Sequence, residues 1–266
     1  MMSLLLVLIK QPVTCLIIFL LKSYHKELAL FSHLIFNPPL TVKFWISEKS
    51  MLRLIKIESF KLSNKLKSWL GPLLILVLVL IAFPLSIDIS QYDLNKFYFS
   101  IIAISLLMTA FVATEGIFEE DFEDGSLEQE FLVEKDFYKV ALSKILVYVS
   151  LIGIPIAFIG SLFSFANGVA IDSFPKVFLI LSISNLLLFN LFAFGNALSI
   201  NKGAMLGVLS SLPLALPVII LLGRAIRTIQ YGDGFLAIVT LMIGIALVVS
   251  AIMPLIISAA LKTHID

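Results

Sequence analysis

The residues most able to do chemistry in this sequence are carboxylates gathered in one short segment. Ten of the eighteen acidic residues lie between positions 115 and 136, and the segment 115–139 reads EGIFEEDFEDGSLEQEFLVEKDFYK. The cytoplasmic face of a membrane is negatively charged and repels such a segment. We therefore expect it to stand away from lipid and to present its acidic surface to a protein.

Local residue types predict the shape of that segment. Asp124 and Gly125 are a turn signal. Ser126 and Gln129 have the spacing of a capping box, with Ser126 at the N-cap of a short helix. Glu128 falls in the first turn, where the helix dipole favours a negative charge. The sequence thus predicts a turn followed by a short helix.

This short helix carries an apolar stripe of Leu127, Phe131 and Leu132. A two-turn helix is not stable alone, and docking such a stripe into a partner's groove is a common mode of recognition. The alternative is that the stripe packs against the rest of its own chain. The docking interpretation selects Glu119, Asp121, Asp124, Gly125, Ser126, Leu127, Glu128, Gln129 and Phe131.

The other residue types offer little catalytic chemistry. Cys15 is the only cysteine, and the histidines are His25, His33 and His264. The sequence has no nucleophile–base pair, no metal-ligand spacing and no phosphate-binding loop of the form G-x-x-x-x-G-K-[ST]. We therefore predict that the chain is not an enzyme, has no catalytic residues, and binds no metal, cofactor or nucleic acid. If ATP drives it, the ATP is bound by a partner.

The elements that must position these residues are apolar helices. The chain is 60% hydrophobic and 14% charged, with a mean hydropathy of +1.07, whereas a soluble domain carries about 25% charged residues. About 20 apolar residues of helix cross a bilayer, and the backbone must be helical because lipid offers it no hydrogen bonds. The sequence predicts an all-α bundle with six spans in lipid, near 70–89, 97–117, 142–166, 177–200, 203–223 and 235–260.

Basic residues predict the orientation of these spans. Outside the spans, nine lysines and arginines from position 53 onward fall on one side of the membrane and four on the other. The side with nine holds the acidic segment and both ends of the region 51–266. We expect that side to be cytoplasmic.

The segment 53–69 precedes the first span and mixes apolar with basic residues at roughly helical spacing. Its apolar members are Leu54, Ile57, Leu62, Leu66 and Trp69. The pattern predicts an amphipathic helix lying in the inner membrane interface. The alternative is a plain basic anchor for the first span.

Residues 1–50 are a separate question. Their apolar runs are split by Lys10, Gln11 and Pro12, and they lack the basic start and cleavage site of a signal peptide. We interpret 1–50 as a dispensable extension or a start codon assigned too early, and 51–266 as the functional domain.

Two features of the spans have both a functional and a packing interpretation. Pro213 and Pro217 each remove a hydrogen-bond donor from the fifth span, which predicts a kinked span that is either mobile or static. Small residues spaced four apart let helices approach closely, which favours packing within the bundle over a dimer interface. These residues are Gly203, Gly207 and Ser211, and Gly160, Ser164 and Gly168.

Several motifs together resemble those of the CcmB family. EEDFEDGSLEQ at 119–129 is similar to the family's acidic loop, whose core is D-[FL]-x-D-G-[ST]-L-E. FPLSI at 83–87, LPLALPVII at 212–220 and YGDGFLAI at 231–238 are similar to its first, fifth and sixth spans. All four occur in family order. The resemblance covers Met51 to the C-terminus and has no counterpart for residues 1–50.

The resemblance implies a permease subunit of an ABC transporter for haem export in cytochrome c maturation. It implies a CcmA-like ATPase, CcmC-like and CcmD-like membrane proteins and a CcmE-like haem chaperone as partners, and a second copy of the chain within the complex is a further expectation. The location is then the bacterial inner membrane, or the mitochondrial one. Arg224 and Arg227, in the outer loop after the fifth span, are candidates for contact with haem propionates, and the alternative is ordinary solvation of loop arginines.

Three functional interpretations follow. An ABC permease agrees with the acidic docking segment. A membrane scaffold that transports nothing would use the same residues. A secondary transporter is disfavoured, because such proteins place ionisable residues near the middle of their spans and the six predicted cores have none.

Overall fold

The computed structural model describes residues 48–86, 94–133, 136–200, 204–231 and 234–265. The chain divides into two compact units, Met1–Lys56 and Ile57–Asp266. The extension 1–50 lies outside the described residues except for positions 48–50, which are helical. The described helices are α1 (Glu48–Asn64), α2 (Leu66–Ser86), α3 (Leu94–Thr114), α4 (Glu119–Glu123), α5 (Ser126–Val133), α6 (Tyr138–Tyr148), α7 (Ile154–Ala166), α8 (Phe174–Ser199), α9 (Ala204–Tyr231) and α10 (Phe235–Ile265).

Apolar helices long enough to cross a membrane confirm the predicted all-α membrane bundle. The described residues contain five such segments, and six if the bent pair Met51–Asn64 and Ser68–Phe83 counts as one span. The apolar segment Tyr138–Ala166 contains α6 and α7, which are joined by a π-helical segment, Val149–Gly153. It begins four residues before the predicted position 142 and so includes Lys139.

The first helix ends earlier than the sequence predicts. The chain leaves helical geometry at Lys65 and bends by 63° before α2. Trp69 therefore belongs to α2, and the expectation of one helix over 53–69 is wrong in its boundary. The break lies where the amphipathic pattern of α1 changes to the uniformly apolar pattern of α2. An amphipathic helix suits a boundary between polar and apolar surroundings, whereas a helix that is apolar on all sides suits lipid or a protein core. In α1, Glu58 and Leu62 are buried, whereas Ile57 and Phe60 are exposed.

Helix α8 is the most buried span and packs against α3, α7, α9 and α10. It crosses α9 closely, since a Cβ atom on Gly195 would lie 2.3 Å from the carbonyl oxygen of Gly207. A Cβ on Gly160 would lie 2.9 Å from Leu181 Cδ1. These contacts confirm the packing interpretation of the small residues Gly207 and Gly160, while Gly203 lies outside the described residues.

Asn185 and Asn196 of α8 each donate a hydrogen bond to the backbone of another span. Asn185 Nδ2 lies 2.7 Å from the carbonyl oxygen of Gly153 in the π-helical segment. Asn196 Nδ2 lies 2.9 Å from the carbonyl oxygen of Thr114, the last residue of α3. Such bonds join helices that apolar contact alone leaves free to slide. The sequence reasoning overlooked both residues.

Helix α9 is continuous through Pro213 and Pro217, and both prolines are exposed. The helix extends to Tyr231, so Arg224 and Arg227 lie on its last turns. Placing these arginines in a loop after the span was wrong. Arg224, Arg227 and Thr228 do not end the helix, because arginine has good helix propensity and can extend its charge toward water.

Cation–π contacts show which ends of the helices lie together. The Nζ atom of Lys262, near the end of α10, lies 5.5 Å from the ring centroid of Phe131 on α5. The Nζ atom of Lys176, at the start of α8, lies 5.5 Å from the ring of Phe235, at the start of α10. The acidic segment and the end of α10 therefore lie at the same end of the bundle. This agrees with the sequence, because an even number of predicted spans separates the two and returns the chain to the same side.

Candidate functional site

A cluster of buried and partly buried charges joins four helices of the chain. Glu58 and Lys61 come from α1, Asp121 from α4, and Lys144 from α6, and Glu130 of α5 completes the cluster. We call these five residues the charge cluster. Charged side chains are almost never buried unless they are paired. The cluster is thus the place where the acidic segment is fixed to the bundle.

Lys144 lies at the centre of the charge cluster. Only 2% of its side chain is exposed, and its ammonium group forms an ion pair with Asp121 and lies 3.5 Å from Glu58 Oε1. Asp121 and Glu58 are themselves buried. Two carboxylates that approach one ammonium can compensate for the loss of water around it.

Lys61 is the second cation of the charge cluster. Its Nζ atom lies 3.5 Å from Glu58, 3.6 Å from Asp121 and 3.4 Å from Glu130. Lys61 therefore links α1 to both short helices of the acidic segment. At the exposed edge of the same region, Lys65 forms an ion pair with Glu120.

Three of these carboxylates are close enough to hold a metal ion. One oxygen each of Glu58, Asp121 and Glu130 lies within 4.8 Å of the others. The ammonium groups of Lys61 and Lys144 already lie against these oxygens and supply the positive charge. We therefore interpret the arrangement as an ion-pair network.

Glu130 differs from the other carboxylates of the cluster. Its Oε2 atom is buried and has no hydrogen-bond partner among the described residues. Burial raises the pKa of this carboxyl above its usual value, even though Lys144 and Lys61 act in the opposite direction. A raised pKa is expected where the charged form loses water and gains too few partners.

The acidic segment folds as two short helices, α4 and α5, joined by a turn, and we call 119–133 the acidic hairpin. Gly125 has a φ of +73°, which favours glycine and confirms the predicted turn. The predicted capping box, in which the Ser126 side chain would accept the N–H of Gln129, is wrong. The backbone N–H of Ser126 donates to Asp124 Oδ1 at 2.9 Å. The Ser126 hydroxyl instead donates to the carbonyl oxygen of Asp121 at 3.3 Å. The Ser126 side chain and backbone N–H together lower the pKa of Asp124.

The apolar stripe of the hairpin points mainly into the chain. Leu127 is fully buried. Phe131 is half-buried and packs edge-to-face on Phe137, with their ring centroids 5.3 Å apart. Leu132, in contrast, is 83% exposed. The expectation that Leu127 is free to dock on a partner is therefore wrong, because that side chain completes the core beneath the hairpin.

The exposed face of the hairpin is acidic around one leucine. Of the residues selected from the sequence, Asp124, Glu128 and Gln129 are exposed, whereas Asp121 and Leu127 are buried. Glu119, Gly125, Ser126 and Phe131 are partly exposed. We call Asp124, Glu128, Gln129 and Leu132 the outer face of the hairpin. Pro213, Pro217, Arg224 and Arg227 all lie on α9 and contribute nothing to the charge cluster.

Sequence reasoning missed Glu58, Lys61 and Lys144 as site residues. Glu58 and Lys61 are three positions apart on one helix, which is a common ion-pair spacing. Lys144 directly precedes a long apolar run, and a cation at the start of a span is a signal for a buried partner. Neither signal identifies Asp121 as that partner.

Comparisons with known proteins identify the family of this chain. A family model described as CcmB protein matches residues 50–264. The heme exporter protein B of Haemophilus influenzae is 30% identical over 221 residues, covering 81% of this chain and 98% of that protein. The heme exporter protein B of Pseudomonas aeruginosa is 29% identical over 164 residues, covering 61% of this chain and 74% of that protein. The chain described here belongs to the CcmB protein family.

Proposed function

We propose that this chain is the membrane permease subunit of an ABC transporter for haem export in cytochrome c maturation. Family membership supports the haem-handling role, because the relatives are named heme exporter protein B. The proposal includes a location in the bacterial inner membrane, with the hairpin in the cytoplasm. A CcmA-like ATPase binds ATP, and CcmC-like, CcmD-like and CcmE-like proteins complete the system.

The outer face of the hairpin is the observation that carries the proposal. Leu132 is exposed on a helix whose other face is anchored by Leu127 and Phe131, so the helix is already ordered before any partner arrives. The surrounding carboxylates favour a partner groove that is basic at its rim and apolar at its centre. We assign that groove to the ATPase.

Helix α9, and not the hairpin, is the proposed route for the transported molecule. Arg224 and Arg227 are exposed and match carboxylate geometry, which suits contact with haem propionates. Pro213 and Pro217 each lack a backbone donor, which favours bending of α9 during a transport cycle. Haem is a transported species in this proposal and is not held by axial ligands of this chain.

Co-purification of the ATPase with the full-length permease tests the docking assignment. We expect Leu132→Asp to abolish co-purification while the permease still accumulates in the membrane, since Leu132 contributes little to the core. The matched control is Ile171→Asp, which replaces an exposed apolar residue that is 69% accessible near the start of α8. Leu127→Asp is unsuitable because it places a charge in the core.

The outcomes separate the permease from its alternatives. If Leu132→Asp retains the ATPase at wild-type strength, the docking face is wrong. If the wild-type chain binds no ATPase but still associates with the haem chaperone, a scaffold role replaces the permease role. Protease cleavage of the hairpin from the periplasmic side would overturn the orientation.

A further inference from the structure

The charge cluster joins the acidic hairpin to a membrane span, which docking alone does not require. Lys144 lies in the apolar segment Tyr138–Ala166, and the same ammonium contacts Asp121 of the hairpin and Glu58 of α1. Leu127 and Phe131 already hold the hairpin by apolar contact. The ion pairs therefore add a directional link between elements that are also packed together.

A buried ion pair is not an efficient means of stabilisation, because apolar residues of similar size often stabilise a protein as well or better. An ion pair differs from apolar packing in that it depends strongly on direction and distance. Movement of the hairpin relative to α6 would separate Asp121 from Lys144, whereas apolar side chains could slide. The cluster is thus suited to transmit displacement.

The span that carries Lys144 contains an element able to respond. One turn beyond Lys144, the π-helical segment Val149–Gly153 interrupts the α-helix. Such segments occur frequently at functional sites. The carbonyl oxygen of Gly153 accepts the 2.7 Å hydrogen bond from Asn185 on the central helix α8. A contiguous series of contacts thus leads from the hairpin to the centre of the bundle.

We propose that Lys144 is a positioning residue. Through its ion pairs, displacement of the hairpin moves the apolar segment Tyr138–Ala166 by way of the π-helical segment Val149–Gly153. The inference rests on the proposed docking of an ATPase to the hairpin. Asp121 links the ammonium group to the hairpin, and Glu58 links it to α1. Asn185 receives the movement on α8.

The test compares two double variants of the full-length chain in its complex. Asp121→Asn with Lys144→Met removes both charges of the central pair, so neither is left buried alone. Asp136→Asn with Lys139→Met is the matched control, since Lys139 is also buried on α6 and lies 2.6 Å from Asp136, outside the cluster. Three quantities are measured for each: ATPase co-purification, ATP hydrolysis, and mature cytochrome c formed per ATP hydrolysed.

We expect the cluster variant to retain the ATPase and its hydrolysis but to form about tenfold less cytochrome c per ATP, the size of a typical coupling between two sites. The control variant should match the wild type in all three. A cluster variant with a wild-type yield per ATP would overturn the proposal. Loss of the ATPase together with the yield would also overturn it, because Lys144 would then only shape the docking face.

A measurement on the chain alone separates this inference from the proposed function. Amide hydrogen exchange across 149–153 should become faster in the cluster variant and stay unchanged in the control, with or without an ATPase. Unchanged exchange in the cluster variant would refute the link to the π-helical segment. Failure of the wild-type chain to bind any ATPase would instead refute the proposed function.

Discussion

Asn196 on α8 closes the end of α3, with its Nδ2 atom 2.9 Å from the carbonyl oxygen of Thr114. Thr114 is the last residue of α3, and its carbonyl oxygen also accepts the backbone N–H of Ile117, in the turn that follows, at 3.1 Å. Both residues are buried. A single amide thereby fixes the spacing between the helix that precedes the acidic hairpin and the centre of the bundle.

Replacing Asn196 by leucine should destabilise the chain by about 0.5–1.5 kcal/mol, because the hydrogen bond between α8 and α3 is lost while the N–H of Ile117 still pairs with the Thr114 carbonyl. Thermal unfolding of the purified protein in detergent measures the change. The control is Asn167→Leu, because the Asn167 side chain donates to the carbonyl of Phe163, four residues earlier in the chain, and is partly exposed. Equal effects of the two variants would contradict a special role for Asn196.

The charge cluster should show strong non-additivity. Lys144→Met alone leaves Asp121 and Glu58 buried with less compensation, so we expect a loss of about 3–5 kcal/mol in stability. Adding Asp121→Asn should recover a large part of that loss, since fewer unpaired charges remain. A double-mutant cycle of unfolding temperatures tests this prediction. Purely additive effects would show that the two side chains do not interact.

The crossing of α8 and α9 should not tolerate a side chain at Gly195. A Cβ atom there meets the backbone oxygen of Gly207 at 2.3 Å, and backbone cannot rotate away. We expect Gly195→Ala to cost about 1–3 kcal/mol, as overpacking typically does. Gly244→Ala on α10 is the control, because nothing lies within 4 Å of its Cβ position. It should leave stability unchanged or raise it slightly.

Glu130 should make the stability of the chain depend on pH. Burial raises its folded-state pKa above 4.5, so the folded state binds the proton more readily than the unfolded chain. Its contribution is then fully present below the unfolded pKa and is lost as pH rises through the folded pKa. The stability of the wild type relative to Glu130→Gln should therefore fall as pH rises from the unfolded-state pKa of this carboxyl through its higher folded-state pKa.

Asp124 provides a control of opposite sign for that experiment. Its hydrogen bonds with Ser126 lower its pKa below 3.8, so its contribution is present above this value and is lost as pH falls through the folded-state pKa. Wild type relative to Asp124→Asn should lose stability only on acidification. Unfolding temperatures measured across pH for both variants test the two directions together, and the same direction in both would contradict the assignment.

The sequence alone determined the features that depend on local chemistry. Long uncharged runs require helices in lipid, since the backbone must satisfy its own hydrogen bonds there, and the part of the chain that the structure describes has five to six such helices. Asp124 and Gly125 predicted the turn of the hairpin, and Gly125 adopts the positive φ that such a turn needs. The order of motifs identified the family, which the comparisons confirm.

Only the tertiary structure decided which face of each helix is buried and which charges meet. Leu127 and Leu132 are equally apolar in the sequence, yet one is buried and the other exposed, because the orientation of α5 depends on distant contacts. Lys61 and Glu130 lie 69 positions apart, and Lys144 and Asp121 lie 23 apart. A buried charge needs a partner, but residue type and spacing cannot name it when the partner arrives on another helix.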